Sequence, residues 1–394
     1  MLVTRQKIVK YTLLISLLPL SGQGEVAPTD GGKALLLAEN VPLQQLEDNC
    51  QLGVDDRLWD DADRQGDRKA LLTAIDNSLR YLNTTKAEEA YRNYRRSDVT
   101  RDRVVLSLKR FRELLLKSQT PEELQAAVEK EFVFDRLLEE EAENKTHFTG
   151  YFEPVYSASR TPNAEYRYPL YRKPANFESW TQPHPTRKEL EGENGLLGQK
   201  SPLAGRELVW LRDRFEAFLI HVQGSARLEL TDGSTMSVGY DSSTSYAYKS
   251  IGKELVKDGK VPEEGLTLTM VAQYFQDHPE ELDEYLPRND RFIFFRETNG
   301  QPPIGSLGVP VTADRSIATD KNLMPHGALA LIRAPIPDSK LKTSLVTRYV
   351  LNQDTGAAIK GASRVDIFMG SGKLAGDRAG LINGDGELYY LLLK

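Results

Sequence analysis

The sequence predicts a mainly β body behind an α-helical amino-terminal region. Three observations carry this reading. Apolar residues recur at helical spacing between residues 71 and 132. From His147 onward, short runs rich in β-branched and aromatic residues alternate with Gly, Asp and Ser turns. No segment repeats at a fixed period, which argues against a solenoid or propeller. At 394 residues the chain is long enough for roughly two to three domains of ~150 residues each.

The elements follow in order. Residues 25–65 are mixed and Asp/Gly-rich and read as an irregular lead-in to a helical region over 66–146. Leu71, Leu72, Ile75, Leu79 and Leu82 fall on one face of a first helix, and Val104, Val105, Leu108, Phe111 and Leu115 on one face of a second. Thr120-Pro121-Glu122-Glu123 opens a third with an N-cap, a proline at the first helical position and a glutamate at N3. That helix is expected to run through Phe132 into the acidic stretch Leu138–Glu143, a solvated face. In the β body, Arg227–Thr231 meets an Asp232-Gly233 turn and resumes as Ser234–Val238, a hairpin. Phe215–Val222, Arg291–Phe295, Ala328–Arg333, Ser344–Leu351 and Arg364–Phe368 also read as strands. Helices are predicted over Tyr248–Asp258 and about Thr267–Tyr285.

Composition excludes several function classes. With 51 basic and 57 acidic residues the net charge is −6, so there is no general basic surface for nucleic acid. The single cysteine, Cys50, forbids an intramolecular disulfide and a thiolate-rich zinc site. The five histidines form no His-x-x-x-His pair, and neither a metal nor another cofactor is expected. Residues 1–24 stand apart: Arg5, Lys7 and Lys10 precede the apolar run Tyr11–Leu20 and the small polar stretch Ser21–Gly24. That is the layout of a secretory signal peptide, the plain alternative being an uncleaved amphipathic or buried terminus. The run is shorter than the ~20 residues a membrane span needs, so the mature chain is expected to be exported, with no transmembrane segment.

Three aspartates near turns hold the candidate chemistry: Asp314, Asp354 and Asp366. Aspartate is depleted in strands, yet Asp366 sits centrally in Arg364–Phe368 with Val365 and Ile367 directed to the other face. The pattern alone favours a solvated face. The flexible turns Lys360-Gly361 and Gly370-Ser371-Gly372 around the strand favour a carboxylate placed for a ligand. Asp354 lies 12 residues earlier across a glycine-containing turn, so the two strand ends are expected to pair side by side. Repulsion and partial burial then raise one pKa and keep a proton available for acid catalysis. Phe148-Thr149-Gly150-Tyr151-Phe152-Glu153-Pro154 combines aromatics with a hydroxyl, which suits sugar recognition, but on the residues alone a β-core segment with a turn at Glu153-Pro154 is the better reading. Val222-Gln223-Gly224-Ser225 reads as a turn and Tyr248-Lys249-Ser250 as a helix start.

Together these segments resemble the membrane-bound lytic transglycosylase A family of murein-degrading enzymes. The blocks occur in order: F-T-G-Y-F-E-P at 148–154, P-L-Y-R-K-P at 169–174, V-Q-G-S at 222–225, Y-K-S-I-G-K at 248–253, A-D-R-S-I at 313–317, D-T-G-A-A-I-K-G at 354–361, and R-V-D-I-F-M-G-S-G with A-G-D-R-A-G within 364–380. The last blocks are also similar to the three-aspartate domain. The resemblance implies a double-psi β-barrel catalytic domain built from 147–154 and 298–394, interrupted by a smaller inserted β-domain over 155–297, with a glycan cleft between them. It implies Asp366 as the single catalytic acid/base, Asp354 as a supporting carboxylate, Asp314 as the third aspartate, and Thr149 lining the cleft. Tyr151, Gln223, Gly224, Ser225, Tyr248, Lys249, Ser250, Lys360 and Arg364 are the further residues expected to face glycan.

The reaction so implied is lytic cleavage of the β-1,4 bond between N-acetylmuramic acid and N-acetylglucosamine with formation of 1,6-anhydromuramyl ends. A two-carboxylate muramidase and a non-catalytic murein-binding protein are the alternatives. The expected partners are peptidoglycan glycan strands and, in the periplasm or cell envelope, cell-wall synthesis or scaffold proteins. Two departures from the family pattern stand out. No lipoprotein cysteine follows the signal, which argues against outer-membrane lipid anchoring, and His221 stands where an acidic residue is frequent, which points to an altered subsite preference.

Overall fold

The structure, a computed structural model, describes residues 53–62, 64–136, 145–264 and 266–394. The predicted signal, Cys50 and most of the lead-in lie outside the described residues, as does the acidic stretch Leu138–Glu143.

Four helices come first: α1 (Arg68–Leu82), α2 (Thr85–Arg92), α3 (Arg101–Lys117) and α4 (Pro121–Glu131). Thr84, Thr100 and Thr120 cap the last three by accepting a backbone N–H in the first turn. α2 is an addition to the sequence reading, which gave three helices. α4 stops at Glu131, and the chain turns into β1 (Phe132–Asp135) instead of continuing as helix, because Phe132–Asp135 pairs with the carboxy-terminal strand.

The remaining strands are β2 (Thr146–Glu153), β3 (Val155–Ser159), β4 (Tyr168–Tyr171), β5 (Glu207–Leu211), β6 (Ser225–Leu230), β7 (Thr235–Ser243), β8 (Ile293–Glu297), β9 (Ser316–Ala318), β10 (Leu329–Pro337), β11 (Thr343–Asp354), β12 (Arg364–Ser371) and β13 (Asn383–Leu393). Between them lie α5 (Arg187–Glu191), α6 (Arg214–Gln223), α7 (Ile251–Lys257), α8 (Leu268–Asp277), α9 (Leu282–Tyr285) and α10 (Lys373–Leu381).

The strands form two sheets. In the first, β13, β10, β11, β9, β12 and β2 pair in that order, and β2 pairs back to β13, which closes a six-stranded barrel with β1 appended to β13. β2–β12 and β9–β11 are parallel, and the other barrel pairs are antiparallel. The chain leaves the barrel after Glu153, crosses Pro154 and builds a second six-stranded sheet in the order β4-β5-β3-β6-β7-β8 before returning at β9.

The amino-terminal helices are not a separate layer. Leu71, Ile75, Leu108, Phe111 and Leu115 share one apolar core with Leu331, Val350, Ile367 and Tyr390 of the barrel. The segment before α1 is tied down by charge: the fully buried Arg315 holds Asp55 and Asp67, and Arg348 also reaches Asp55. Burial alone raises the Asp55 pKa, but the two guanidiniums overcompensate and hold it below the ordinary value.

Two predicted elements are corrected. Phe215–Val222 is helix α6, not a strand. It is capped by Asp213, which accepts from Glu216 N–H, and closed by Gly224 in the left-handed conformation (φ 79°). Ala217 and Ile220 enter the core of the second sheet, while Phe215, Phe218 and Leu219 enter a separate core with α7–α9. Burial on both sides erases the helical period and leaves a continuous apolar run, which mimics a buried strand. The Thr267–Tyr285 helix is broken at His278-Pro279 into α8, a 3₁₀ turn and α9.

Candidate active site

The barrel's registers place the site residues. Asp366 of β12 lies opposite Thr149 of β2, and Thr149 lies opposite Asn383 of β13. On its other side Asp366 faces Ala318 of β9, which in turn faces Asp354 of β11. Directly opposed residues share a face of the sheet, so Asp354, Ala318, Asp366, Thr149 and Asn383 form one row across five strands. The flanking positions Val365, Phe148 and Ile317 are fully buried inside the barrel, so the row points outward.

Asp354 reaches this row through a β-bulge between Asn352 and Asp354. The additional residue, Gln353, is buried, and its amide donates to Ala74 O (2.7 Å) and Ser78 Oγ (3.0 Å) of α1 while its carbonyl accepts from Ser316 Oγ (2.5 Å). Simple alternation would send Asp354 inward; the bulge re-aims it. The strands bearing Asp354 and Asp366 therefore do not pair directly, contrary to the sequence expectation, because β9 lies between them. Three residues long, β9 offers no period to read.

The two carboxyls are held differently. Asp354 accepts the Tyr151 hydroxyl (2.8 Å), Ser306 N–H (2.8 Å) and Thr355 N–H (2.8 Å). Burial raises its pKa, and those three donors pull against the rise. Asp366 is half-buried, and its Oδ1 has no hydrogen-bond partner among the described residues. Burial pushes its pKa up to about 6, with Arg364 opposing and Asp354 adding to the rise. Donors favour the charged form, so the carboxyl that lacks them is the better place to store a proton. Arg364, two residues before Asp366 on the same face, donates to Thr149 Oγ1 (3.3 Å).

The other predicted residues fall into groups. Tyr151 is on the outward face, but its hydroxyl is committed to Asp354 and its ring packs on Phe368 (centroids 5.2 Å apart). Burial, then the neighbouring Asp354 and Asp366, raise its pKa well above 10 and keep it a donor. Tyr248 lies between β7 and α7: burial raises its pKa, Ser250 lowers it and the Asp366 charge raises it further. Ser250 caps α7, and the Lys249 N–H donates to Asn289 Oδ1 (3.2 Å). Gln223 ends α6 and accepts Phe152 N–H (3.2 Å), Gly224 is the helix cap, and Ser225 is buried at the start of β6. Lys360 is exposed in the β11–β12 turn.

Asp314 stands apart from the other two aspartates. Its carboxylate takes a two-pronged contact from Arg378 of α10 (2.7 and 3.0 Å), its backbone is left-handed (φ 59°), and its N–H donates to Phe368 O (2.7 Å). His221 is buried between Phe292 and Phe295, where its Nδ1 meets Ile293 N–H and Arg187 Nη2 (both 3.2 Å). Burial, then Arg187, lower its pKa well below 6.5, so the ring is neutral and occupied within the second sheet's framework.

Sequence reasoning passed over Glu153 and Asn383. Glu153 is fully buried where the chain changes sheets, and accepts from Arg227 of β6 (2.7 Å) and Ser371 of β12, bracing the two sheets. An acid directly before Pro154, at the end of an aromatic β segment, was the available signal. Asn383 carried none, since its place depends on a strand pairing 234 positions away (383 − 149). Gly150 has a steric role: a Cβ there would lie 2.7 Å from the Ala379 backbone, so α10 rests directly on β2. Among the described residues no helix is long and apolar enough to cross a membrane.

Comparison with known proteins narrows what this geometry belongs to. Residues 147–296 match the MltA specific insert domain, and residues 315–392 match the 3D domain. The membrane-bound lytic murein transglycosylase A of Escherichia coli K12 is 32% identical over 268 residues, covering 66% of this chain and 70% of that protein. Its Vibrio cholerae counterpart is 31% identical over 251 residues, covering 63% and 65%. The crystal structure of a membrane-bound lytic murein transglycosylase from Agrobacterium tumefaciens superposes with a TM-score of 0.66 at 28% identity, covering 90% of this chain and 97% of that one. E. coli MltA with bound chitohexaose shares the fold, with a TM-score of 0.66 at 24% identity over 93% and 99% of the two chains. Both halves of the site thus lie in matched regions, Thr149 and Tyr248 in the first and Asp354 and Asp366 in the second, and the chain belongs to the membrane-bound lytic murein transglycosylase A family, as a lytic transglycosylase enzyme.

Proposed function

We propose that this enzyme acts on peptidoglycan in the cell envelope, cleaving the β-1,4 bond between N-acetylmuramic acid and N-acetylglucosamine with Asp366 as its single acid and base. The observation that carries the reading is the contrast between the two carboxyls. Asp366 has a free oxygen and a pKa pushed up to about 6, whereas Asp354 is saturated by three donors. Hydrolytic glycosidases need two working carboxyls, and Asp314 is occupied by Arg378.

Protonated Asp366 donates to the glycosidic oxygen, and the muramyl C1–O bond breaks with oxocarbenium character at C1. The Asp366 carboxylate then takes the proton of the same sugar's 6-hydroxyl as that oxygen bonds to C1, which gives the 1,6-anhydro ring and restores the acid. General acid–base assistance of this kind contributes about 10²- to 10⁴-fold. The nucleophile is tethered, so its effective concentration reaches the order of 10⁵ M. Closing the second sheet over the barrel would keep competing water from C1. We read the closed barrel as double-psi, the 155–297 segment as a domain inserted into it, Asp354 and Tyr151 as tuning groups, and Asp314 with Arg378 as the anchor of α10.

Mass spectrometry of products from purified murein tests this. Anhydromuramyl ends are expected. Reducing muramyl ends would replace the lytic reading with hydrolysis, and intact sacculi that retain bound protein would replace it with binding alone.

A further inference from the structure

A depression beside the acid is lined by Thr149, Asn383, Ile382 and Gly380 of the barrel unit and by Leu266 and Leu268 at the start of α8. Asn383 is half-buried there, and its side-chain amide forms no hydrogen bond among the described residues. Thr149 Oγ1 accepts from Arg364, which leaves its own hydrogen to donate. The floor is thus a paired amide donor and acceptor beside a hydroxyl donor, and the wall across it is aliphatic.

An amide of this kind matches a second amide best: its oxygen accepts an N–H while its nitrogen donates to a C=O. A small methyl placed against Leu266 and Leu268 completes the complement. Asn383 is two strand positions from Asp366, roughly 10 Å along the row, the scale of a sugar ring with its substituents. Resting on the glycan reading above, we propose that this depression receives the 2-acetamido group of an N-acetyl amino sugar, with Asn383 pairing its amide. Asn383 is then a specificity-determining residue that selects N-acetylated over plain β-1,4 glycan.

The test uses the full chain carrying Asp366→Asn, which halts turnover, and compares calorimetric affinities for chitohexaose and for cellohexaose, which has hydroxyls in place of acetamido groups. Adding Asn383→Ala is expected to weaken chitohexaose at least tenfold and to collapse the ratio of the two affinities. Asn383→Leu, which keeps the side-chain volume, should do the same, with the thermal unfolding midpoint tracking fold integrity. Chitohexaose affinity within twofold of the parent, or an equal loss for both oligomers, would overturn the assignment. A parent that binds no chitohexaose would instead overturn the glycan reading, and the pocket with it, so the two failures are told apart in the parent itself.

Discussion

Asp366 is half-buried and its Oδ1 has no hydrogen-bond partner among the described residues, which disfavours its charged form. Asp366 has an ordinary value of 3.8 and is pushed up to about 6 in the fold. Between those values the folded state holds a proton that the unfolded state has released, so this group's contribution makes stability fall as pH rises through that window. About two pKa units at 1.36 kcal/mol each gives about 3 kcal/mol, or nearer 2 kcal/mol once screening through the open side of the site is allowed for. Asp366→Asn keeps the shape and removes the charge. It is therefore expected to abolish turnover, to leave glycan binding in place, and to stabilise the protein by about 2–3 kcal/mol at pH 7–8. The gain should shrink below pH 6 and vanish near pH 3.5–4, where both proteins carry a neutral group. Urea unfolding of the two proteins at unit pH steps from 4 to 8 measures it. A constant offset across that range, or a variant less stable at pH 8, would show that burial does not hold the proton on Asp366. Appreciable residual turnover would remove Asp366 from the acid role altogether.

Two further substitutions examine the supports of that acid. Tyr151→Phe removes one of the three donors on Asp354, so Asp354 protonates more readily and its charge raises the Asp366 pKa less. The alkaline limb of the pH–rate profile should move down by up to about one unit, and an unmoved limb would sever the proposed coupling. Gln353→Leu removes the acceptor of the Ser316 hydroxyl and the donor to Ser78 Oγ and the Ala74 carbonyl in the α1–barrel interface. A loss of about 2–4 kcal/mol in urea is expected, together with reduced activity, since the bulge sets the direction of Asp354; activity retained at full stability would contradict that role.

How much of this was legible in the chain depends on the range of the forces involved. The faces of α1 and α3, the Thr120 cap and the β6–β7 hairpin are local, set by residues within a few positions of one another, and were read directly. α6 was misread because burial on both sides removes its period, although Asp213 and Gly224 marked its ends. The aspartate in β12 drew attention because carboxylates are rare in strands, and its outward direction followed from Val365 and Ile367. The row itself was beyond sequence. It depends on β9 entering between β11 and β12, on one bulge, and on β13 closing the ring onto β2. For the same reason Tyr151 was read as facing sugar when its hydroxyl is turned to Asp354, and Asn383 was passed over.

The division of labour between the two sheets follows from that row. Asp366, the Asp354 carboxylate that raises its pKa, the Tyr151 that holds that carboxylate and the Arg364 that opposes it all stand on barrel strands, where closure of the ring fixes their spacing. Tyr248, between β7 and α7, feels the Asp366 charge, and Gln223 reaches β2 by accepting Phe152 N–H. The chain passes between the sheets at Pro154, beside the Glu153–Arg227 pair, and again between Glu297 and Ser316. A single group that must give a proton and then take one back needs a pKa near the working pH in both steps. With Asp354, Tyr151 and Arg364 all on barrel strands, the proton affinity of Asp366 is set within the ring itself.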